Sequence, residues 1–229
     1  ITNGNVANTF VIIAVTGKTT DKRGRPMKEI SAFIVEDTDP GFSQGKHEKK
    51  MGIRGSSTCD LIFEDCVIPK DRMLGKKGAG FKIAMKTLDG GRIGIAAQAL
   101  GLGEGAVEEA IKYTQERVQF HKRLSQFQNT QFQLADMHTR MQAAQFLVYS
   151  AAMKKQNHEP YSMDAAMAKL FAAESASDVT RRAVQLFGGY GYTREYPVER
   201  MMRDAKITEI YEGTSEVQRM VISSHLGVK

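Results

Sequence analysis

The spacing of apolar residues changes once along this chain of 229 residues, and that change limits its fold more than any other feature. Before Pro69 the apolar residues come in short runs rich in β-branched side chains. From Phe81 onward they recur at steps of three, four and seven. The first habit suits strands, and the second suits helices that bury one stripe. In this order the two imply an α+β class. A partial antiparallel β-domain over residues 1–69 would precede a C-terminal four-helix bundle over residues 70–229.

In the β part, the run Phe10 to Val15 predicts one strand and Ile30 to Val35 a second. The polar stretch Thr16 to Pro26, with Asp21-Lys22-Arg23-Gly24 inside it, predicts their connection, and Asp39-Pro40-Gly41 closes the second strand. Cys59 to Val67 partly alternates, which places Leu61 and Phe63 inward, with Val67 a weaker candidate. The opening Ile1-Thr2-Asn3-Gly4-Asn5 has no initiator Met and runs almost at once into an apolar stretch. The expectation is a chain that starts mid-segment.

In the helical part, Phe81, Met85, Leu88, Ile95 and Leu102 predict a first long helix. It carries Gly90, Gly91, Gly94, Gly101, Gly103 and Gly105, each costing roughly 1 kcal/mol relative to Ala in a helix interior. Such a load is expected where another backbone or a ligand comes close. Leu134, Met137, Met141, Ala144 and Val148 predict a second helix, broken over Asn157 to Pro160. A third runs from about Met163 to Phe187 and ends at Gly188-Gly189-Tyr190-Gly191-Tyr192. Pro197 opens a short helix. In the last, Ser215 and Gln218 fit a capping box ahead of Val217, Met220, Val221 and Ser224. The Met and Ala stripes read as core.

Composition removes several function classes. Net charge is +6, but Lys and Arg are interleaved with acids, without the basic stripe or tail of a nucleic-acid binder. The positive balance suits a phosphorylated cofactor, and equally a plain solvated surface. No run approaches the roughly 20 apolar residues of a membrane span, and no leader is expected ahead of Ile1. Two cysteines, Cys59 and Cys66, suit a reducing compartment better than a disulfide framework. His121, His138 and His158 are scattered, so no metal site is expected. Gly188-Gly189-x-Gly191 follows a helix rather than a strand, which is the wrong setting for a dinucleotide fingerprint.

The candidate chemistry lies in Ile210-Tyr211-Glu212-Gly213-Thr214-Ser215-Glu216. A lone carboxylate stands between an aromatic, apolar approach and a Gly that lets the backbone turn into a helix. Without other context, such a Glu reads more often as a solvated surface residue than as a base.

The context is a series of motifs in order. Ile1-Thr2-Asn3 is followed by Met51-Gly52-Ile53-Arg54-Gly55-Ser56 and by Gly80 to Gln98, which includes Leu88-Asp89-Gly90-Gly91-Arg92-Ile93. Then come Glu116-Arg117-Val118-Gln119-Phe120, Gln185 to Tyr192, and Arg203-Asp204-Ala205-Lys206 leading into Ile210 to Thr214. Together they resemble the C-terminal part of the acyl-CoA dehydrogenase family, closest to its short-chain (butyryl-CoA) branch. The resemblance implies FAD-dependent α,β-desaturation of an acyl-CoA. Glu212 would remove the α-proton as hydride leaves the β-carbon for flavin N5, and electrons would pass to electron-transfer flavoprotein. The chemistry wants a carboxylate shielded enough from water to be a strong base, which Ile210 and Tyr211 are expected to provide. A backbone N–H at Glu212 would polarise the thioester carbonyl.

The same resemblance places Asp89, Gly90, Gly91, Arg92, Tyr211 and Gly213 against the substrate; from the residues themselves, Asp89 and Arg92 are simply an intrahelical ion pair. It places Ile1, Thr2, Arg117, Phe120, Gln128, Gln185, Leu186, Phe187, Gly188, Gly189, Thr214, Ser215 and Glu216 against FAD, some of them against a neighbouring subunit's cofactor. That implies an oligomer, a homotetramer built as a dimer of dimers. The compartment would be cytoplasmic in a bacterium and the mitochondrial matrix in a eukaryote. Two positions depart from the family's pattern: His121 and Arg123 stand where it usually has Gly and often Pro. The family's N-terminal helical domain and the first part of its β-domain are not in this chain. The rival readings are a helical oligomerisation module without cofactor or turnover, and an acyl-CoA oxidase.

Overall fold

The computed structural model describes residues 1–21 and 23–228; Lys22, within the expected first connection, lies outside them. The chain forms two compact units, one of Ile1–Lys50 with Arg54–Thr87, the other of Met51–Ile53 with Leu88–Lys229.

The first unit is built on a long antiparallel hairpin. β1 (Thr9–Thr20) pairs with β2 (Pro26–Glu36) through a register shift between Val15 and Gly17. β1 is twice the length of its apolar run, because Thr16 to Thr20 continues the ladder; the connection is only residues 21–25. Asp21 makes that turn, its carboxylate accepting from the N–H groups of Arg23 and Arg25 and from the Arg25 guanidinium. Phe10, Ala32 and Val35 are buried, whereas Val11, Ile13 and Val15 on the alternate face of β1 are exposed.

β3 (Phe42–Gln44) pairs with β4 (Leu61–Phe63), and Phe42 lies between the rings of Phe10 and Phe63. The expected Cys59–Val67 strand is therefore three residues long. Phe63 is exposed, and Val67 is 82% exposed, which corrects the inward placement of both. A short β5 (Met73–Leu74) adds to the other edge of β2. Arg72 ties the end of β2 to the following turn: its guanidinium donates to both oxygens of Asp39 and to Glu36.

The second unit is helical. α1 (Gly80–Glu116), which starts in the first unit, is followed by a small hairpin, β6 (Val118–Gln119) with β7 (Lys122–Arg123). α2 (Gln128–Gln156), α3 (Ser162–Phe187), α4 (Val198–Thr208) and α5 (Ser215–His225) complete it. Bundle and helix breaks match the expected ones, including the two short helices after Pro197 and after Glu212, each of eleven residues. α3 is the central element. Ala165, Ala168, Ala172, Ala176, Val179 and Ala183 form a fully buried stripe whose small side chains let neighbouring helices approach closely. Among the described residues no helix is long and apolar enough to cross a membrane.

Two of the sequence motifs meet here. The Met51-Gly52-Ile53 segment docks on α4: the Ile53 N–H donates to Asp204 Oδ1 at 2.6 Å and Arg203 donates to the Met51 carbonyl at 2.9 Å. A Cβ at Gly52 would lie 2.4 Å from the Arg203 carbonyl oxygen, so no larger residue fits.

Candidate active site

α4 ends at Thr208, and the chain turns through Glu209 to Gly213 before α5 begins. The Tyr211 and Ser215 N–H groups are used by the carbonyls of Ile207 and Glu209. Glu212 (φ 55°) and Gly213 (φ 90°) both adopt left-handed backbone. For Gly213 this costs nothing; for Glu212 it is a strained conformation that the surroundings must hold.

The helix that follows is capped by Thr214, whose hydroxyl accepts from the Val217 N–H. Ser215 is already inside the helix, and the expected capping box is absent. Gln218 instead reaches back, donating from Nε2 to the carbonyls of Glu212 (3.1 Å) and Gly213 (2.8 Å). Gly213 O also accepts from Lys169 Nζ at 2.7 Å.

The Glu212 carboxylate lies against Gly91 of α1. A Cβ there would sit 2.6 Å from Oε2, so a larger residue at this point would push the carboxylate aside. Gly103 makes room for the Met141 side chain in the same way, whereas Gly94 and Gly101 face open space. Glu212 Oε2 is buried without a hydrogen-bond partner, and so are Arg92 Nε, Ser215 Oγ and Gln218 Oε1. Buried polar atoms are normally paired; four orphans on residues of one cluster mark a site made for something else. Ile210 is 48% exposed and does not shield the carboxylate, contrary to expectation. Tyr211 is half-buried, with its hydroxyl bonded to Gln98 on α1 and its phenol pKa pushed up by burial.

Two residues before Gly91, Asp89 pairs with Arg92 at 2.5 Å and accepts from the Ser162 hydroxyl at 2.9 Å. Arg92 is only 5% exposed, so the intrahelical ion pair that the spacing predicts is formed by a buried guanidinium. Lys169 has no accessible surface. Sequence reasoning missed it. The signal was there: a single Lys in the Ala-rich run of α3.

A separate groove of about 570 Å³ gathers Arg117, Gln185, Leu186, Phe187, Gly188 and Gly189, six of the expected cofactor residues. Tyr113 stacks on Phe187 with ring centroids 4.0 Å apart, and the Arg117 guanidinium lies over Tyr190 at 5.3 Å. Phe120 and Gln128 do not line this groove. Phe120 is 84% exposed at the tip of the β6–β7 hairpin, and Gln128 opens α2. Phe120 and His121 are both left-handed (φ 52° and 63°), as a two-residue hairpin turn requires. His121 thus keeps the turn that Gly would adopt more cheaply. Thr214, Ser215 and Glu216 form the first turn of α5, with the Glu216 carboxyl held below its usual range by its own backbone N–H and the Thr214 hydroxyl. Ile1 and Thr2 belong to the first unit, where Thr2 bridges Thr58.

Residues 78–227 match the family profile described as acyl-CoA dehydrogenase, C-terminal domain, and residues 1–66 match acyl-CoA dehydrogenase, middle domain. The chain belongs to the acyl-CoA dehydrogenase family. It is 61% identical, over 99% of its length, to a short-chain-specific acyl-CoA dehydrogenase of Clostridium acetobutylicum, and spans 58% of that protein. The solved butyryl-CoA dehydrogenase of Megasphaera elsdenii superposes with a TM-score of 0.92 at 54% identity, over 98% of this chain and 57% of that one. A second solved chain, from work described as the electron transferring flavoprotein of Acidaminococcus fermentans, is 57% identical with a TM-score of 0.91 over 98% of this chain and 58% of that one.

Proposed function

We propose that this chain is the C-terminal part of an FAD-dependent dehydrogenase of short-chain acyl-CoA thioesters, with Glu212 as the base. The observation that carries the reading is the Glu212 carboxylate itself, held on a strained turn, with one oxygen buried and unpaired over a glycine. A base for a weakly acidic C–H needs this combination of fixed aim and poor solvation. The substrate's α-carbon would approach beside Gly91, and the Glu212 N–H would face the thioester carbonyl. Asp89, Gly90, Arg92, Tyr211 and Gly213 would flank the thioester and CoA portion, and the buried Arg92 would supply the charge.

Bound FAD supplies the hydride acceptor. The residues present fit it in two places. The Arg117 groove combines a guanidinium fork with the open backbone of Gly188 and Gly189, which suits a diphosphate. The N-terminus of α5 at Thr214 to Glu216 offers backbone donors to an anionic group. Phe120 and Gln128 would add to these cofactor contacts.

Electron-transfer flavoprotein is the proposed electron acceptor. The proposed assembly is a homotetramer, two dimers paired, and its support is on α2. Phe132, Phe146, Tyr149 and Met153 form an exposed stripe opposite the helix's buried one. A helix that is apolar on two faces is ordinarily buried on two.

The test is to purify the full-length protein and supply butyryl-CoA with an artificial electron acceptor. A yellow protein that turns over is expected. A colourless, stable oligomer would instead point to a helical oligomerisation module, and a reduced flavin consumed rapidly by oxygen to an acyl-CoA oxidase.

A further inference from the structure

We propose that Lys169 is a positioning residue for this reaction: from the middle of α3 its side chain, with Gln218 of α5, clamps the Glu212-Gly213 backbone in the left-handed turn that aims the Glu212 carboxylate. The proposal rests on Glu212 being the base.

Lys169 stands in a row of fully buried alanines and has no exposed surface. Burying an ammonium costs more than a single hydrogen bond returns, so stability alone would favour Met or Leu there. What the ammonium does hold is Gly213 O, at 2.7 Å. Gln218 Nε2 holds the same oxygen at 2.8 Å and the Glu212 carbonyl at 3.1 Å. Donors from two helices therefore converge on two consecutive residues, both at positive φ, one of them a glutamate. Without them Glu212 would gain by relaxing to an ordinary backbone conformation, and its carboxylate would swing off Gly91.

The clamp is also sensitive to pH. Burial lowers the Lys169 pKa from 10.5 to about 8. The charges around it are Glu209 at the end of α4, Arg92 on α1, Glu212 in the turn and Glu216 on α5. Below about 8 the group is an ammonium, making a charge-assisted bond and attracting the Glu212 carboxylate. Above it the bond is that of a neutral amine, about half as strong.

The test compares Lys169→Met and Lys169→Arg in the full-length protein. In Lys169→Met, kcat should fall about 10- to 100-fold while KM and flavin content stay within about two-fold, as expected for a misaimed base. Amide exchange at Tyr211 to Thr214 should accelerate, with protection across α3 unchanged. Wild-type kcat should decline as pH rises through about 8. That limb should vanish in Lys169→Met and move upward in Lys169→Arg, which should recover most of kcat. Should Lys169→Met fold poorly, Gln218→Met removes the other donor and should loosen the same amides. Unchanged exchange in the turn overturns the clamp. So does a loss of kcat that merely follows a loss of flavin or of protection throughout the chain. If the wild-type protein turns over no acyl-CoA, the Glu212 reading fails by itself, and the exchange comparison still decides the clamp.

Discussion

At the scale of single residues, the site trades stability for geometry, and the trade can be measured. Gly91→Ala should inactivate without unfolding. The added methyl meets the Glu212 carboxylate at 2.6 Å, and the shift of about 1 Å needed to clear it costs on the order of 10²-fold in rate. The same change improves helix propensity by roughly 1 kcal/mol. The expected outcome is a sharp loss of kcat with an equal or higher melting temperature; wild-type kcat would show that the carboxylate does not use this contact. Lys169 makes a pH-dependent counterpart. Its folded pKa of about 8 lies below the ordinary lysine value of 10.5. The unfolded chain therefore binds the proton more tightly between the two, and stability rises with pH across that window. The cost of the buried charge is present in full below about 8. Urea unfolding at pH values spanning that window should show the rise in the wild type and not in Lys169→Met. At the hairpin tip, His121→Gly should relieve a left-handed non-glycine residue and raise stability by roughly 1 kcal/mol, read from the unfolding midpoint.

Elements were legible where one period ran long enough to be counted. α2, α3 and the break between them follow from steps of three and four, because each helix buries an apolar stripe that repeats over several turns. The β part was less legible. Thr16 to Thr20 is polar yet stays in the ladder, because its partner strand supplies the hydrogen bonds whatever the side chains are. The three-residue β3 was missed because it is too short to show a period. In the candidate site, Glu212 stands out by its motif, while Lys169 is hidden in an alanine run that reads as plain core. The cap was misassigned by one residue, since Thr214 and Ser215 both qualify locally and it is Thr214 whose backbone is extended and whose hydroxyl accepts from the Val217 N–H. The Arg117 groove is the element-scale prediction: α1, the β6–β7 hairpin and the end of α3 meet there. Arg117→Ala should lower flavin retention and weaken the oligomer together, with Lys rescuing only in part for want of a planar fork. Flavin content and sedimentation both unchanged would remove Arg117 from the cofactor site.

At the scale of the whole molecule, the helical unit carries its own core, while α2 shows a second apolar face to solvent. Phe146→Glu on that face should shift the protein toward smaller species in sedimentation without changing its helix content; an unchanged oligomer would place the interface elsewhere. The central claim concerns what the assembled protein does with Glu212. The most direct measurement is a single turnover: full-length wild-type protein and Glu212→Gln, each mixed rapidly with butyryl-CoA, with bleaching of the oxidised flavin followed in time. Glu212→Gln keeps the shape of the side chain and cannot accept a proton. Fast bleaching is expected in the wild type. In the variant, full flavin content is expected, with bleaching slowed by about 10²- to 10⁴-fold or more. Bleaching in Glu212→Gln at the wild-type rate would show that Glu212 is not the base.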